Sequence, residues 1–346
     1  MKAGVLIATY NGIKFIKEQL DSILNQTQKV DEIIISDDGS SDGTFEFLNE
    51  YADNHSDYNI VIVKNCGEHG VTKNFENAYN NSTADILFFA DQDDVWKQDK
   101  VEVFMKAFEK YPECGLVFSD AIVTDDKLNP SGKTVWDYFF PDVRDWINND
   151  DIYTIIDRDF LVKRISHINV IPGMCIAIKK EIMKITVPFN SVLIHDDIVM
   201  MYSAMCSRIC CINKTESYYR QHGNNSIGVS EINSDSEKRR NSLSGLIKNT
   251  ELTMKNVLYD YIRTEYFNEL DKNGEYAFLC KQYKVMKKLL SAAKSNAIFA
   301  LFKLISVLIM SGYEINKAAK LFIIDASMIL FVSKKKRIAF FKKYNL

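Results

Sequence analysis

Three carboxylates fall within four positions at Asp91-Gln92-Asp93-Asp94, directly behind the apolar run Ile86–Ala90. A buried strand cannot hold that charge, so the acids belong where the chain leaves the core. Crowded there, they repel one another unless a cation joins them. Asp91 and Asp93 alternate, which offers a hard ion such as Mg²⁺ or Mn²⁺ two oxygen ligands. Other positions stay open for water and phosphate oxygens. A cation so held stabilises charge growing on a departing diphosphate. The plain alternative is an acidic turn with no ligand.

Two further acidic groups stand far away in sequence. In Asp37-Asp38-Gly39-Ser40-Ser41-Asp42, a helix cap near Thr44 accounts for Asp42 but not for adjacent acids at a strand end. A carboxylate there can accept a hydrogen bond from the imide N–H of uracil or thymine. His195-Asp196-Asp197 precedes the apolar helical run Ile198–Met205, and an N-cap explains one aspartate of the pair. A carboxylate so distant from the metal turn can deprotonate an acceptor hydroxyl. Arg220 and His222, in Tyr218-Tyr219-Arg220-Gln221-His222, suit a diphosphate, and His222 also suits a metal shell. A polar surface loop explains that segment equally well.

These groups need a frame. Apolar, β-rich runs at Gly4–Ala8, Glu32–Ser36, Asn59–Val63 and Asp85–Ala90 alternate with helical periods at Ile13–Asn25, Thr44–Asp53, Val71–Tyr79 and Lys97–Tyr111. Strand-helix alternation with short loops predicts a mostly parallel sheet covered by helices on both faces. Ligands bind at the carboxyl ends of such strands, where Thr9-Tyr10-Asn11-Gly12, Asp37–Asp42 and Asp91–Asp94 should meet. No glycine-rich phosphate loop follows the first strand, which argues against a dinucleotide fold and a P-loop nucleotidase.

Composition sets the outer limits. The chain has 346 residues, 47% hydrophobic and 26% charged, enough for two domains with a real core. Its formal charge of -3 provides no basic field for nucleic acid. The seven cysteines form no CxxC pair and read as reduced core residues of a cytoplasmic protein. Met1-Lys2-Ala3-Gly4-Val5 runs straight into a strand without a cleavable signal. From Gly115 to Ala177 the pattern is mixed, with strands expected at Leu116–Ser119 and Ile176–Ile178. Asp137–Asp159 is aromatic and acidic, with Phe140 and Trp146 among its rings. Glu231–Asn241 reads as a linker, and helical periods dominate after it. Neither Ala297–Met310 nor Leu321–Val332 reaches the length of a membrane span. The tail, Lys334-Lys335-Lys336-Arg337 with Phe340-Phe341-Lys342-Lys343-Tyr344, suits an anionic membrane surface; the alternative is a helical cap packed on the first domain, with a solvated basic tail.

Taken in order, these segments resemble family-2 glycosyltransferases of the GT-A fold. Ala8-Thr9-Tyr10-Asn11 resembles their Pro-x-Tyr-Asn opening, and Ile35–Asp42 is similar to their Val-Asp-Asp-Gly-Ser-x-Asp block. Asn65 with Gly70–Phe75 resembles the segment before the fourth strand. Asp91–Trp96 with Asp99-Lys100, and Tyr219–Asn225, resemble the rhamnosyltransferase-like branch. That branch often has His-Asp-Trp-Trp where this chain has His195-Asp196-Asp197-Ile198.

The resemblance, over residues 3–228, implies an α/β fold of GT-A (Rossmann-like) type: a mostly parallel central sheet flanked by helices. A catalytic domain of residues 1–230 would divide into a nucleotide-binding half, 1–115, and an acceptor half, 116–230. A helical C-terminal region, 231–346, would contact a membrane or a second copy of the chain. Thr9, Asp37 and Asp38 would hold base and ribose. Tyr10, Asn11, Asn74, Asp91, Gln92 and Arg220 would complete the nucleotide-sugar site, and Asp91, Asp93 and His222 would hold Mn²⁺ or Mg²⁺. Asp196 would be the general base, with Asp197 its rival. The expected reaction is inverting transfer from a UDP- or dTDP-sugar, rhamnose favoured, to a saccharide or lipid-linked oligosaccharide in surface polysaccharide synthesis. A peripheral inner-membrane contact and a homodimer both fit this reading, and nucleic acid does not. The rival readings are a scaffold that binds sugar nucleotides without turnover, and a nucleotidyltransferase. The latter is disfavoured because Thr9-Tyr10-Asn11-Gly12 is no triphosphate loop.

Overall fold

A computed structural model describes residues 1–139, 143–144, 147, 151–156, 171–189 and 194–223. By internal contacts the chain divides into Met1–Val229 and Ser230–Leu346, and all described residues belong to the first unit. The readings of Phe140, Trp146, Asn224, Asn225, the Glu231–Asn241 linker, the C-terminal helices and the basic tail fall outside the described residues.

The first four strands are β1 (Ala3–Thr9), β2 (Glu32–Asp37), β3 (Ile60–Lys64) and β4 (Ile86–Asp91). They pair in parallel, in the order β3-β2-β1-β4. The strands β1, β2 and β4 are buried along nearly their whole length, because helices cover both faces of a parallel sheet. Those helices are α1 (Ile16–Leu24), α2 (Thr44–Asn54), α3 (Val71–Asn80) and α4 (Lys100–Lys110). Helix α1 buries Ile16, Gln19, Leu20, Ile23 and Leu24, the stripe that a 3.6-residue period lays on one face.

Beyond β4 the sheet turns mixed. It continues through β9 (Ile176–Lys179) and β6 (Cys114–Thr124) to β10 (Arg208–Arg220), and ends at β5 (Val95–Trp96). Strand β9 runs antiparallel to both β4 and β6, whereas β6 and β10 are parallel. Short antiparallel strands β7 (Pro130–Thr134) and β8 (Tyr153–Ile155) pair with β6 and β10. Helices α5 (Val135–Phe139), α6 (Lys180–Thr186) and α7 (His195–Cys206) complete the unit. Cys114, Cys175, Cys210 and Cys211 are buried and free, and Cys66 is exposed. No helix among the described residues is long and apolar enough to cross a membrane.

Several boundaries differ from the sequence reading. Helix α1 begins at Ile16 rather than Ile13, because the Gly12 carbonyl accepts the N–H groups of both Phe15 and Ile16 in a tight turn. Helix α4 begins at Lys100 rather than Lys97, because Val95-Trp96 is drawn into a ladder with Ser217 and Tyr218. Strand β6 runs well past the expected Leu116–Ser119 and carries Asp120 inside it. Strand β10 was not anticipated as a strand at all. Register shifts between Ile212 and Thr215, and between Thr215 and Ser217, break its two-residue alternation.

Candidate active site

Strand register builds the site. Thr9 lies opposite Asp37, and Ala8 opposite Asp91, so the three acidic or polar loops leave neighbouring parallel strands at one edge. The antiparallel contact of β5 with β10 then carries Arg220 and His222 back to the turn after β4. His222 Nε2 lies 2.8 Å from Asp93 Oδ2.

Many of the predicted residues are braces that shape the loops. Thr9 is buried, and its hydroxyl donates to Asp37 at 3.0 Å. Buried Asp37 also accepts the N–H groups of Gly39 and Ser40 and the Ser40 hydroxyl, which holds the loop in its turn. Asn11, at φ 50°, accepts the Ser41 N–H at 2.8 Å and so ties the first loop to the second. Asn74 is buried and donates to the Thr9 carbonyl at 3.1 Å. Gln92 pairs with the Tyr10 main chain through both ends of its amide, at 2.9 and 3.0 Å. A Cβ at Gly12 would lie 2.2 Å from Gln92 Oε1, so only glycine leaves room for that pairing. Asp42 accepts the N–H groups of Thr44 and Ile13 from outside the helix, with Gly43 in a left-handed conformation at the cap position itself.

Tyr10 faces the open edge, while the Asp38 side chain is largely enclosed just past the end of β2. Tyr10 is 57% exposed. Asp38 accepts hydrogen bonds from Asn65 Nδ2 at 2.7 Å, His69 Nδ1 at 2.9 Å and the Gly70 N–H at 2.8 Å. These bonds draw the 65–70 segment over the end of β2.

The acids after β4 divide by environment. Burial, then the charges of Asp93 and Asp196, push the Asp91 carboxyl up to about 7. Asp196 therefore lies within electrostatic reach of the turn after β4 despite a separation of about a hundred residues. Asp94 points the other way. It is fully buried, accepts the Arg220 N–H at 3.0 Å, and is held well above the carboxylate range by burial and by Asp93 and Asp91. It neither caps α4 nor reaches the surface.

The Arg220 side chain is likewise buried. Its Nε donates to the Asp93 carbonyl and its Nη1 to the Asp126 carbonyl, each at 2.8 Å, and its Nη2 pairs with Glu18. Phe15 lies between the two functional groups of this strand end. Its ring stacks on His222 at 4.7 Å and meets the Arg220 guanidinium at 4.6 Å. Neither Phe15 nor Glu18 was legible as part of a site, since both belong to an ordinary amphipathic helix start.

Lys100 was legible only as a motif letter. It is fully buried, donates to the Met174 carbonyl at 2.7 Å and the Ser217 hydroxyl at 2.8 Å, and sits 4.2 Å over the Trp96 ring. Burial lowers its ammonium to about 8 against the opposing pull of Cys175, Asp94, Glu216 and Asp91. A charged residue on the buried face of α4, beside Val101 and Phe104, was the available signal.

On α7, Asp196 is buried and Asp197 half-buried. The Asp197 N–H donates to Asp196 Oδ1 at 2.9 Å. Among the described residues no three His, Cys, Asp or Glu side chains form a ready-made cation cage. The donor set nonetheless fits a hard ion completed by a ligand. Asp91 and Asp93 are crowded acids at an open edge, with His222 beside them.

A parallel first half, a mixed second half and acids gathered at the carboxyl edge define the GT-A class. The description of Glycosyl transferase family 2 matches residues 4–176, which is 173 of the 346 residues, and the chain belongs to that family. It is similar to an uncharacterized glycosyltransferase of Nostoc sp., 24% identical over 71% of this chain and 72% of that protein. It is also similar to the dTDP-rhamnosyl transferase RfbG of Shigella flexneri, 27% identical over 70% of this chain and 79% of that one. Two solved structures share the fold. One is S. aureus TarS in complex with UDP-GlcNAc, with TM-score 0.56 and 13% identity over 93% of this chain and 84% of that one. The other is the Pyrobaculum calidifontis mannosyltransferase PcManGT in complex with GDP-Man and Mn²⁺, with TM-score 0.50 and 18% identity over 97% and 82%.

Proposed function

We propose that this family-2 glycosyltransferase is metal-dependent and inverting, and takes a UDP- or dTDP-linked sugar to a saccharide or lipid-linked acceptor in surface polysaccharide synthesis. The observation that carries the reading is the placing of Asp91 and Asp93 together at the carboxyl end of β4, with His222 Nε2 2.8 Å from Asp93 Oδ2 and the charge of Asp196 within reach of Asp91. Rhamnose is the favoured donor sugar, supported by the similarity to the dTDP-rhamnosyl transferase RfbG. Residues 1–230 form the catalytic unit and 231–346 an accessory one, and the enzyme works in the cytoplasm, where its donors are made.

The division of labour follows from chemistry. Tyr10 and Asp38 receive the base and ribose, on loops held in shape by Thr9, Asn11, Asp37 and Asn74. Asp91 and Asp93 hold Mn²⁺ or Mg²⁺, with His222 completing or orienting the shell. The ion supplies positive charge against the leaving diphosphate. Arg220 acts on the diphosphate indirectly, by fixing the Asp93 carbonyl and hence the direction of its carboxylate. Asp196 accepts the proton of the acceptor hydroxyl as that oxygen attacks C1 from the face opposite the leaving group. Its burial and its reach to Asp91 favour it over Asp197.

The test is a panel of UDP- and dTDP-sugars with Mn²⁺ or Mg²⁺, read by release of nucleoside diphosphate. Turnover with at least one donor is expected, and none with any donor rejects the reading. The Asp196→Asn variant should bind donor normally and lose transfer by about 10²-fold or more. If Asp197→Asn does so instead, the base is Asp197. The Asp93→Asn variant should lose the metal-dependent part of donor binding.

A further inference from the structure

The imidazole of His195 is enclosed, 5% exposed, and neither ring nitrogen has a hydrogen-bond partner. Burying two polar atoms unpaired is unfavourable, so a reason must be sought in the shape of the ring. One face of that ring lies 4.2 Å from Phe75 of α3, and it is 5.3 Å from Phe89 of β4, two residues before Asp91. On another side it meets Gly173, which is itself buried. A Cβ at Gly173 would lie 2.6 Å from His195 Nε2, 3.4 Å from Cε1 and 3.5 Å from Cδ2. The glycine is required there by the ring, since no side chain and the imidazole can share the space.

His195 is the first residue of α7, and Asp196 the second. Whatever seats the ring therefore sets where the next carboxylate points. We propose that Gly173 and His195 form a steric lock in which the ring, wedged between Gly173 and the Phe75–Phe89 pair, holds Asp196 in register with Asp91. His195 is thus a positioning residue that acts by bulk, while its nitrogens do no chemistry. This rests on the reading of Asp196 as the base. A lock of this kind matters because reacting groups misplaced by about 1 Å can lose about 10²-fold in rate.

The test is a double-mutant cycle in the full chain. Thermal unfolding, Mn²⁺-UDP binding and transfer with the donor found in the panel are its readouts. Gly173→Ala should lower Tm and cut kcat by about 10- to 100-fold while leaving Mn²⁺-UDP affinity and the donor KM within about twofold, because the donor loops are untouched. His195→Leu removes Nε2 and Cε1, the colliding end of the ring, and keeps apolar bulk against Phe75 and Phe89. The Gly173→Ala/His195→Leu double variant should therefore regain at least about tenfold in kcat over Gly173→Ala, a non-additivity that a general packing defect does not produce. If Gly173→Ala fails to fold, recovery of a folded, UDP-binding double variant is the expected complementation. Unchanged Tm and kcat in Gly173→Ala overturns the lock, as does a double variant no better than Gly173→Ala. Loss of transfer in a normally folded His195→Leu that the double variant does not restore also overturns it, by giving the nitrogens a chemical role. Retained transfer in Asp196→Asn rejects the base instead, and leaves the Tm cycle to decide the packing.

Discussion

Gln92 shows how a residue at a ligand site can act by holding its neighbour. Its amide donates to and accepts from the Tyr10 main chain, so the loop after β1 and the turn after β4 are joined by two hydrogen bonds. Each net bond contributes about 0.5–1.5 kcal/mol. Gln92→Ala should therefore raise the donor KM by about tenfold with a smaller change in kcat, because the loop is loosened in the ground state and transition state alike. Gly12→Ala should act in the same direction by displacing the Gln92 amide. A kcat defect at unchanged KM in steady-state assays would instead place Gln92 on the transferring sugar. The same logic separates Asp93 from Asp94. One is turned to His222 at the open edge, and the other is buried behind it against the Arg220 main chain.

Glu32 makes the corresponding point for elements. It stands at the start of β2 and is buried. It accepts the Ser82 and Thr83 hydroxyls and the N–H groups of Thr83 and Ala84, which pins the α3–β4 connection to the bottom of the sheet. Burial opposes its ionisation, but those four donors outweigh it and hold the carboxyl below its ordinary value. A carboxyl lowered by folding stabilises the fold above its unfolded pKa and ceases to do so as pH falls through the folded one. Glu32→Gln should thus cost about 1–3 kcal/mol at neutral pH. In urea titrations the gap to wild type should narrow as pH drops below the ordinary glutamate range. A gap independent of pH would mean that shape, rather than charge, fixes this corner. Strand β10 binds elements over a longer reach, since it pairs with β6, β8 and β5 and so delivers Arg220 to the turn after β4.

Across the described unit, one sheet running from β3 to β5 makes the carboxyl edge of the parallel strands and the β10 end a single framework. Ligands that bind only the folded state raise its stability, by about 2.7 kcal/mol at a hundredfold excess over Kd. Mn²⁺ and UDP together should raise Tm by more than the sum of their separate shifts, because the diphosphate completes the ion's ligand set. Asp93→Asn should reduce the combined effect to a simple sum, and strict additivity in wild type would rule out a shared site. The basic, aromatic tail from Lys334 to Tyr344 carries a separate prediction. The full chain should co-sediment with phosphatidylserine vesicles, weakly with neutral ones, and release at roughly 0.5 M salt, where charges are screened. Equal partition into both kinds of vesicle would argue against a charge-driven contact.

The alternation of apolar runs with acidic loops was enough to foresee β1 to β4, their parallel pairing and the edge where Asp38, Asp91 and Asp93 gather. That information is local: a strand covered on both faces must be apolar along its length, and its charges must wait for its end. The division of those acids into edge groups and braces was not readable. Nor were the roles of Phe15, Lys100 and Gly173, or the length of β10. Each depends on partners far away in the chain, as when Gln92 meets Tyr10, Arg220 meets Asp93, and the missing side chain of Gly173 leaves room for His195. A carboxylate's letter is the same whether it faces water or four N–H donors. Its chemistry differs only once folding has chosen its neighbours.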